Sequence, residues 1–134
     1  MNINFKISSG TITTDDGQLL TSQAFAGNNS RPKVNPANIP GRNNVAYVAL
    51  HFIGPLPPGV YSFGPWGHHD GLGDHVSSLT MIPGTGTSYG RGGFYMHGMS
   101  TTDPLNSSEG CVCVPHDPRV LIESMKPDTL TVTA

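Results

Sequence analysis

Charge is scarce in this chain. Only 12% of its 134 residues are Asp, Glu, Lys or Arg, against about 25% in typical soluble domains. The net charge is −2, and the seven Lys and Arg residues form no stripe or cluster. A nucleic-acid partner needs such a basic footprint, so none is expected. Long hydrophobic runs are also missing. None approaches the roughly 18 residues that read as a membrane span. The amino terminus, Met1 to Lys6, has no basic segment leading into an apolar core, so it does not read as a general secretory signal. Cysteine is limited to Cys111 and Cys113. In an extended strand their Cα atoms would lie roughly 6.5–7 Å apart. A disulfide there is strained and closes almost no loop, which excludes a structural staple.

Glycine (17) and proline (12) are abundant instead. Both interrupt helices and supply turns, so the expected fold is mostly β. The length suits a single domain covering residues 1–134, with a core large enough to need no metal or disulfide support. Ile3, Phe5 and Ile7 alternate with polar residues, as in a half-buried strand. Thr11–Thr14 reads as a second strand, and 18–25 returns after the Asp15-Asp16-Gly17 turn. Residues 27–44 are polar and interrupted by proline. They read as one long surface loop, with a substrate lid as the functional option. Further strands are expected over 45–53, 60–63, 76–82 and 94–97, with a loop over 64–74. Asp117 and Pro118 suit the start of a short helix, with Asp117 as N-cap. Val120, Leu121 and Met125 are expected to face inward, and the helix to end near Lys126-Pro127. Leu130 and Val132 mark a last strand.

The residues that carry chemistry lie between Arg91 and Pro115. His97 closes an apolar strand and precedes Gly98. Thirteen residues after Gly98 comes Cys111, preceded by Ser108, Glu109 and Gly110. A thiol attacks as thiolate, so a reactive cysteine needs a neighbouring base or positive charge. His97 is the candidate base and Cys111 the candidate nucleophile. Gly110 permits a close backbone turn, where N–H groups can converge on a developing oxyanion.

His97-Gly98 followed by Ser108-Glu109-Gly110-Cys111 resembles the catalytic signature of the L,D-transpeptidase family, histidine-glycine then S-x-G-C. Gly54-Pro55-Leu56-Pro57-Pro58-Gly59-Val60-Tyr61 and Arg91-Gly92-Gly93-Phe94-Tyr95-Met96-His97-Gly98 resemble two further segments of a compact branch of that family. That branch includes effectors delivered by type VI secretion. The resemblance covers roughly residues 17–133. It implies a β-sandwich with one short helix after the cysteine. It also implies thioester chemistry at the diaminopimelate–D-alanine bond of peptidoglycan stem peptides. Gly110, Ser108 and Gly98 would support the oxyanion and the loop. Arg91, Tyr95 and Trp66 are the candidate substrate contacts, with core or rim packing the stronger reading of Trp66. No cofactor is implied. The partners implied are stem peptides and a cognate immunity protein, with export by a route outside the general secretory one to the periplasm and cell wall.

One departure stands out. Many family members carry arginine two residues after the nucleophile, where this chain has Cys113. The group that would hold a substrate carboxylate is then open, with Arg91 and Arg119 as candidates. The departure also motivates a second reading, a peptidoglycan-binding module without catalysis. A third is a cysteine amidase or protease acting on another amide. His68, His69, Asp70, Asp74 and His75 invite a metal reading, as do His97, Cys111, Cys113 and His116. Neither set has a common ligand spacing, so no metal is expected.

Overall fold

A computed structural model describes all 134 residues. The chain begins with β1 (Asn2–Lys6), β2 (Thr11–Thr14) and β3 (Leu19–Thr21). After a long irregular stretch come β4 (Gly59–Phe63), β5 (Gly67–His69), β6 (Gly73–Met81) and β7 (Phe94–His97). β8 (Val112–Cys113), the α-helix α1 (His116–Met125) and β9 (Thr129–Thr133) complete it. The molecule is therefore mostly β, with one short α-helix following the two cysteines. No helix is long and apolar enough to cross a membrane.

The strands form one sheet in the order β3-β2-β1-β9-β4-β6-β7-β8, with β5 paired to β6 at the side. This replaces the expected two-sheet sandwich. The reason is β9, which pairs in parallel with β1 on one edge and antiparallel with β4 on the other. It joins the amino-terminal strands to the central ones without a break. Beyond β3, Phe25 exchanges two backbone hydrogen bonds with Cys113, of 3.0 and 2.7 Å. The two ends of the sheet thus meet beside the cysteines. Closure of this kind removes an exposed edge.

Alternation decides which side faces the core. Ile3 and Phe5 of β1, Ile12 of β2, and Leu130 and Val132 of β9 are all buried in one cluster with Tyr61, Met96, Val112 and Ile122. Tyr61 is fully buried and donates its hydroxyl to Pro57 O at 2.7 Å. Burial raises the Tyr61 phenol well above its ordinary pKa. The phenol therefore stays protonated and anchors the proline turn from inside.

Several elements depart from expectation. Residues 45–53 are not a strand. Asn44 accepts a hydrogen bond from Ala46 N–H and starts a short 3-10 helix over Val45–Tyr47, while Phe52 turns at φ 67°. Side-chain capping by Asn outcompetes the β preference of Val and Ile here. Leu50 and Phe52 are exposed as a result. Residues 18–25 pair as a strand only at Leu19–Thr21. The expected loop over 64–74 contains the β5–β6 hairpin. α1 begins at His116 with Pro115 as its N-cap, and Asp117 lies inside the first turn. Its buried residues are Arg119 and Ile122, whereas Leu121 is 45% exposed. The inward face is rotated: Arg119 turns its guanidinium against Gly98 and Val114 O rather than toward solvent.

Candidate active site

The site is built where β7 and β8 run parallel, with Met96 opposite Val112 and His97 opposite Cys113. Cys111 sits just before β8, partly exposed, and its sulfur accepts a hydrogen bond from Tyr95 N–H at 3.3 Å. The residue before it, Gly110, has φ 129°. A Cβ at Gly110 would lie 2.6 Å from Arg91 Nη2 and 2.9 Å from Phe94 Cε1. Only glycine fits that turn, so the sequence pattern Gly-Cys has a steric cause.

Three side chains hold the turn in place. Ser108 is fully buried. Its Oγ donates to Cys111 O at 2.7 Å and accepts from Gly27 N–H and Gly110 N–H, at 2.9 and 3.0 Å. Asn28 donates to Ser108 O at 2.7 Å and to Phe52 O at 2.9 Å. Arg91 is 9% exposed, and its two terminal nitrogens donate to Val48 O, Pro55 O, Gly54 O and Glu109 O over 2.6–3.2 Å. Leu56 N–H donates to Gly110 O at 3.0 Å. The proline turn therefore forms the wall behind the cysteine loop, and Arg91 locks the two together. Of the carbonyls it satisfies, Gly54 O and Pro55 O belong to the proline turn and Glu109 O to the cysteine loop. Arg91 accordingly sits inside the scaffold rather than on a surface that meets substrate.

His97 is 4% exposed, and its Nδ1 lies 2.6 Å from Gly98 O. A carbonyl only accepts, so Nδ1 carries the proton and Nε2 presents its lone pair. Burial pushes the imidazole pKa below its ordinary value, opposed by the Gly98 hydrogen bond and reinforced by Arg119 and Arg31. Gly98 is bare for a reason: a Cβ there would come within 2.4 Å of Arg119 Nη1. Arg119 donates to Val114 O at 2.7 Å, and its Nε is buried without a partner.

Cys113 is fully buried, and its sulfur lies 3.9 Å from both His97 nitrogens. Equal distances put the thiol against the ring rather than along either lone pair. Burial raises the Cys113 thiol far above its ordinary pKa. It packs the imidazole and is inaccessible to substrate. Burial raises the Cys111 thiol as well, with the Tyr95 N–H pulling the other way. Cys111 and His97 share no hydrogen bond here, and such bonds commonly tighten only with substrate in place. At neutral pH the resting pair is thiol and neutral imidazole. The chemistry available is general-base activation of a cysteine, with the Tyr95 N–H stabilising negative charge on sulfur. Of the expected oxyanion donors, Gly110 N–H is taken by Ser108, while Cys111 N–H bonds to no other residue and turns toward its own sulfur.

Two clefts flank Tyr95 and His97. One, about 360 Å3, contains Trp66, His69 and Tyr95. The His69 and Tyr95 rings are 4.7 Å apart, and Trp66 stacks on Phe63. The other, about 330 Å3, contains His97, Gly98, Arg31, Leu72, Met99 and two serines. The structure thus brings Trp66 and Tyr95 into one cleft, and sets Cys111 beside Tyr95 and Cys113, rather than Cys111, beside His97. His68 bonds Asp74 at 2.7 Å and Asp70 at 3.2 Å.

Arg31 and Asn28 were not legible as site residues. They lie in the 27–44 segment, about eighty positions before the cysteine loop that they contact. Asn28 and Asn35 are buried in that segment and bonded to each other at 3.1 Å. Its first half is therefore fixed to the site rather than poised above it. The only sequence signal was the density of asparagine in a loop.

Comparison with known proteins gives no relative: no family model matches the chain, no curated protein matches it, and no solved structure matches it.

Proposed function

We propose that the protein is a cysteine acyl-transfer enzyme of L,D-transpeptidase type, acting on peptidoglycan stem peptides. The observation that carries this reading is the pairing of two devices on β7 and β8. One is a partly exposed thiol on a glycine turn that receives a backbone N–H. The other is an imidazole whose Nδ1 is fixed by Gly98 O, leaving Nε2 as base. The S-x-G-C resemblance supplies the substrate class.

In the proposed reaction Cys111 attacks the carbonyl of the L-centre of diaminopimelate, and Nε2 of His97 takes the thiol proton. Cys111 N–H faces the developing oxyanion. The C–N bond then breaks, His97 returns the proton to the departing D-alanine amine, and a thioester remains. Water, a D-amino acid or a second stem amine resolves it. The same resemblance is the sole support for the further proposal that the protein is an effector acting on the wall from the periplasm, with an immunity protein as partner.

The test is mass spectrometry of disaccharide-tetrapeptide incubated with the protein and with Cys111→Ala, with and without D-methionine. Loss of D-alanine, or its exchange for D-methionine, in wild type alone is the expected result. An unchanged tetrapeptide and unchanged sacculi in both samples would sink the reading. The raised Cys111 pKa and the absent Cys111–His97 hydrogen bond would then favour a binding module on the same scaffold.

A further inference from the structure

We propose that the groove on either side of Trp66 binds a neutral polysaccharide, stacking its pyranose rings on the indole and hydrogen-bonding its hydroxyls at a polar rim. The site takes sugar rather than peptide and is independent of the acyl-transfer reading above.

Two clefts meet at Pro65 and Trp66, which line both. One holds about 510 Å3 and runs to Phe63, Glu123, Lys126 and Asp128. The other holds about 360 Å3 and runs to His69, Ser78 and Tyr95. Each lies in the range of about 300–1,000 Å3 common to small-ligand sites. Trp66 is half-buried and packs against the core, yet it contributes to both walls. Phe63 of β4 stacks on it, with ring centres 5.6 Å apart and planes 22° from parallel. The indole is therefore a fixed platform, and little side-chain freedom is lost when a ring is laid on it. His69 and Tyr95 form a second aromatic pair, 4.7 Å apart. Aromatic side chains thus follow the groove toward the cysteine, since Tyr95 N–H bonds Cys111 Sγ.

The rim decides the class of ligand. Glu123 holds His75 with one carboxylate oxygen, and Asp128 holds the Met1 amine with one of its own. Each carboxylate is fixed with its second oxygen open. His69 uses only Nδ1, on Asp70 O, and leaves Nε2 free. Lys126 Nζ and the Ser78 hydroxyl make no bond within the protein. Donors and acceptors thus surround aromatic surface. A pyranose ring matches that combination, because its axial C–H bonds form an apolar face and its equatorial hydroxyls a polar edge. An aliphatic ligand fits poorly: apart from the prolines, only Val76 supplies an aliphatic wall. Nucleobases also stack on aromatic rings. Here two carboxylates stand against one lysine, which disfavours a phosphate backbone. The mixed signs of charge likewise favour an uncharged ring over an acidic or a basic one.

Trp66 is the single tryptophan of the chain, so its emission reports on this groove alone. The test titrates cellotetraose and chitotetraose, two neutral oligomers without peptide, into the wild-type protein. Binding of either upholds the proposal when it gives a saturable change in Trp66 emission and NMR shifts at the indole N–H and the Ser78 and Lys126 amides. Trp66→Ala should weaken binding about tenfold or more, as for loss of a stacking ring. Trp66→Phe should weaken it less, because a ring remains against Phe63. That variant and the wild-type shift map carry the test if Trp66→Ala fails to fold. No saturable change with either oligomer up to about 10 mM overturns the proposal. So do shifts confined to residues outside the two clefts, or undiminished binding in Trp66→Ala. Equal or tighter binding of a short single-stranded oligonucleotide overturns it in favour of base stacking. The oligomers offer Cys111 no peptide bond, so this result and the stem-peptide assay stand or fall separately.

Discussion

His97 and Cys113 face each other across the parallel β7–β8 pair, with the Cys113 sulfur 3.9 Å from both ring nitrogens. The sulfur that touches the imidazole is therefore the buried one. The partly exposed sulfur of Cys111 lies two residues back, against Tyr95. One cysteine packs the imidazole and the other stands partly exposed on the glycine turn.

This division separates the two substitutions. Cys111→Ala should lower turnover by about 10^4-fold or more, the scale seen when a nucleophile is removed. Cys113→Ala should keep most of the activity and lower stability by about 1–2 kcal/mol, from lost packing. Paired kinetics and chemical denaturation check this. Equal loss of activity in both variants would refute the division.

The pH dependence follows from burial. His97 is held below its ordinary 6.5 in the fold. The unfolded chain therefore binds more protons over that interval. Its contribution is fully present above pH 6.5 and is lost as pH falls toward the folded value. Cys111 and Cys113 are raised above their ordinary 9.0, so folding disfavours the thiolates and stability declines as pH rises past 9. Melting temperatures across pH 4–10.5 should form a plateau with two falling limbs. Iodoacetamide labelling of Cys111 in the absence of substrate should climb only on the alkaline side. A labelling plateau near pH 5 would reveal a resting thiolate–imidazolium pair and contradict this account.

Ser108 organises the cysteine loop through three hydrogen bonds, two of them buried and the one to Cys111 O part-buried. Ser108→Ala leaves Gly27 N–H, Gly110 N–H and Cys111 O without that partner. The expected cost is about 2–4 kcal/mol of stability, with kcat reduced more than KM. Thermal unfolding and steady-state kinetics read both effects. A neutral Ser108→Ala variant would remove Ser108 from this role.

Gly98→Ala tests the support beneath His97. The added methyl meets the Arg119 guanidinium at 2.4 Å, so either the Gly98 backbone or Arg119 must move. The expected outcome is loss of activity, with a shifted His97 ring resonance. Gly98→Ala combined with Arg119→Ala should recover part of both. Absence of any recovery would show that the strain lies elsewhere.

Much of this was visible in the sequence. Period-two alternation placed β1 and β9, because a half-buried strand must put every second side chain in the core, and the Asp15-Asp16-Gly17 turn marked the end of β2. The apolar run ending in His97 placed β7 to the residue. Gly110-Cys111 and His97-Gly98 pointed to the site because glycine at these positions has a steric cause that composition cannot hide. Local pattern failed where a side chain competed with the backbone, as Asn44 does in turning residues 45–53 into a 3-10 turn. It failed also on α1, where periodicity put Leu121 inside but a buried guanidinium took the inward face.

What the sequence determined by itself was the mostly β character and the single short helix after the two cysteines. These follow from local sterics and from hydrophobic period. Tertiary structure alone decided the rest. It set Cys113 rather than Cys111 against the imidazole, turned Arg91 into a clamp between two loops, and carried Arg31 from a distant loop to the pocket of His97. Those assignments depend on strand register and on contacts between residues tens of positions apart. Neither leaves a periodic trace in the chain, because both are fixed only when the sheet closes through Phe25 and Cys113.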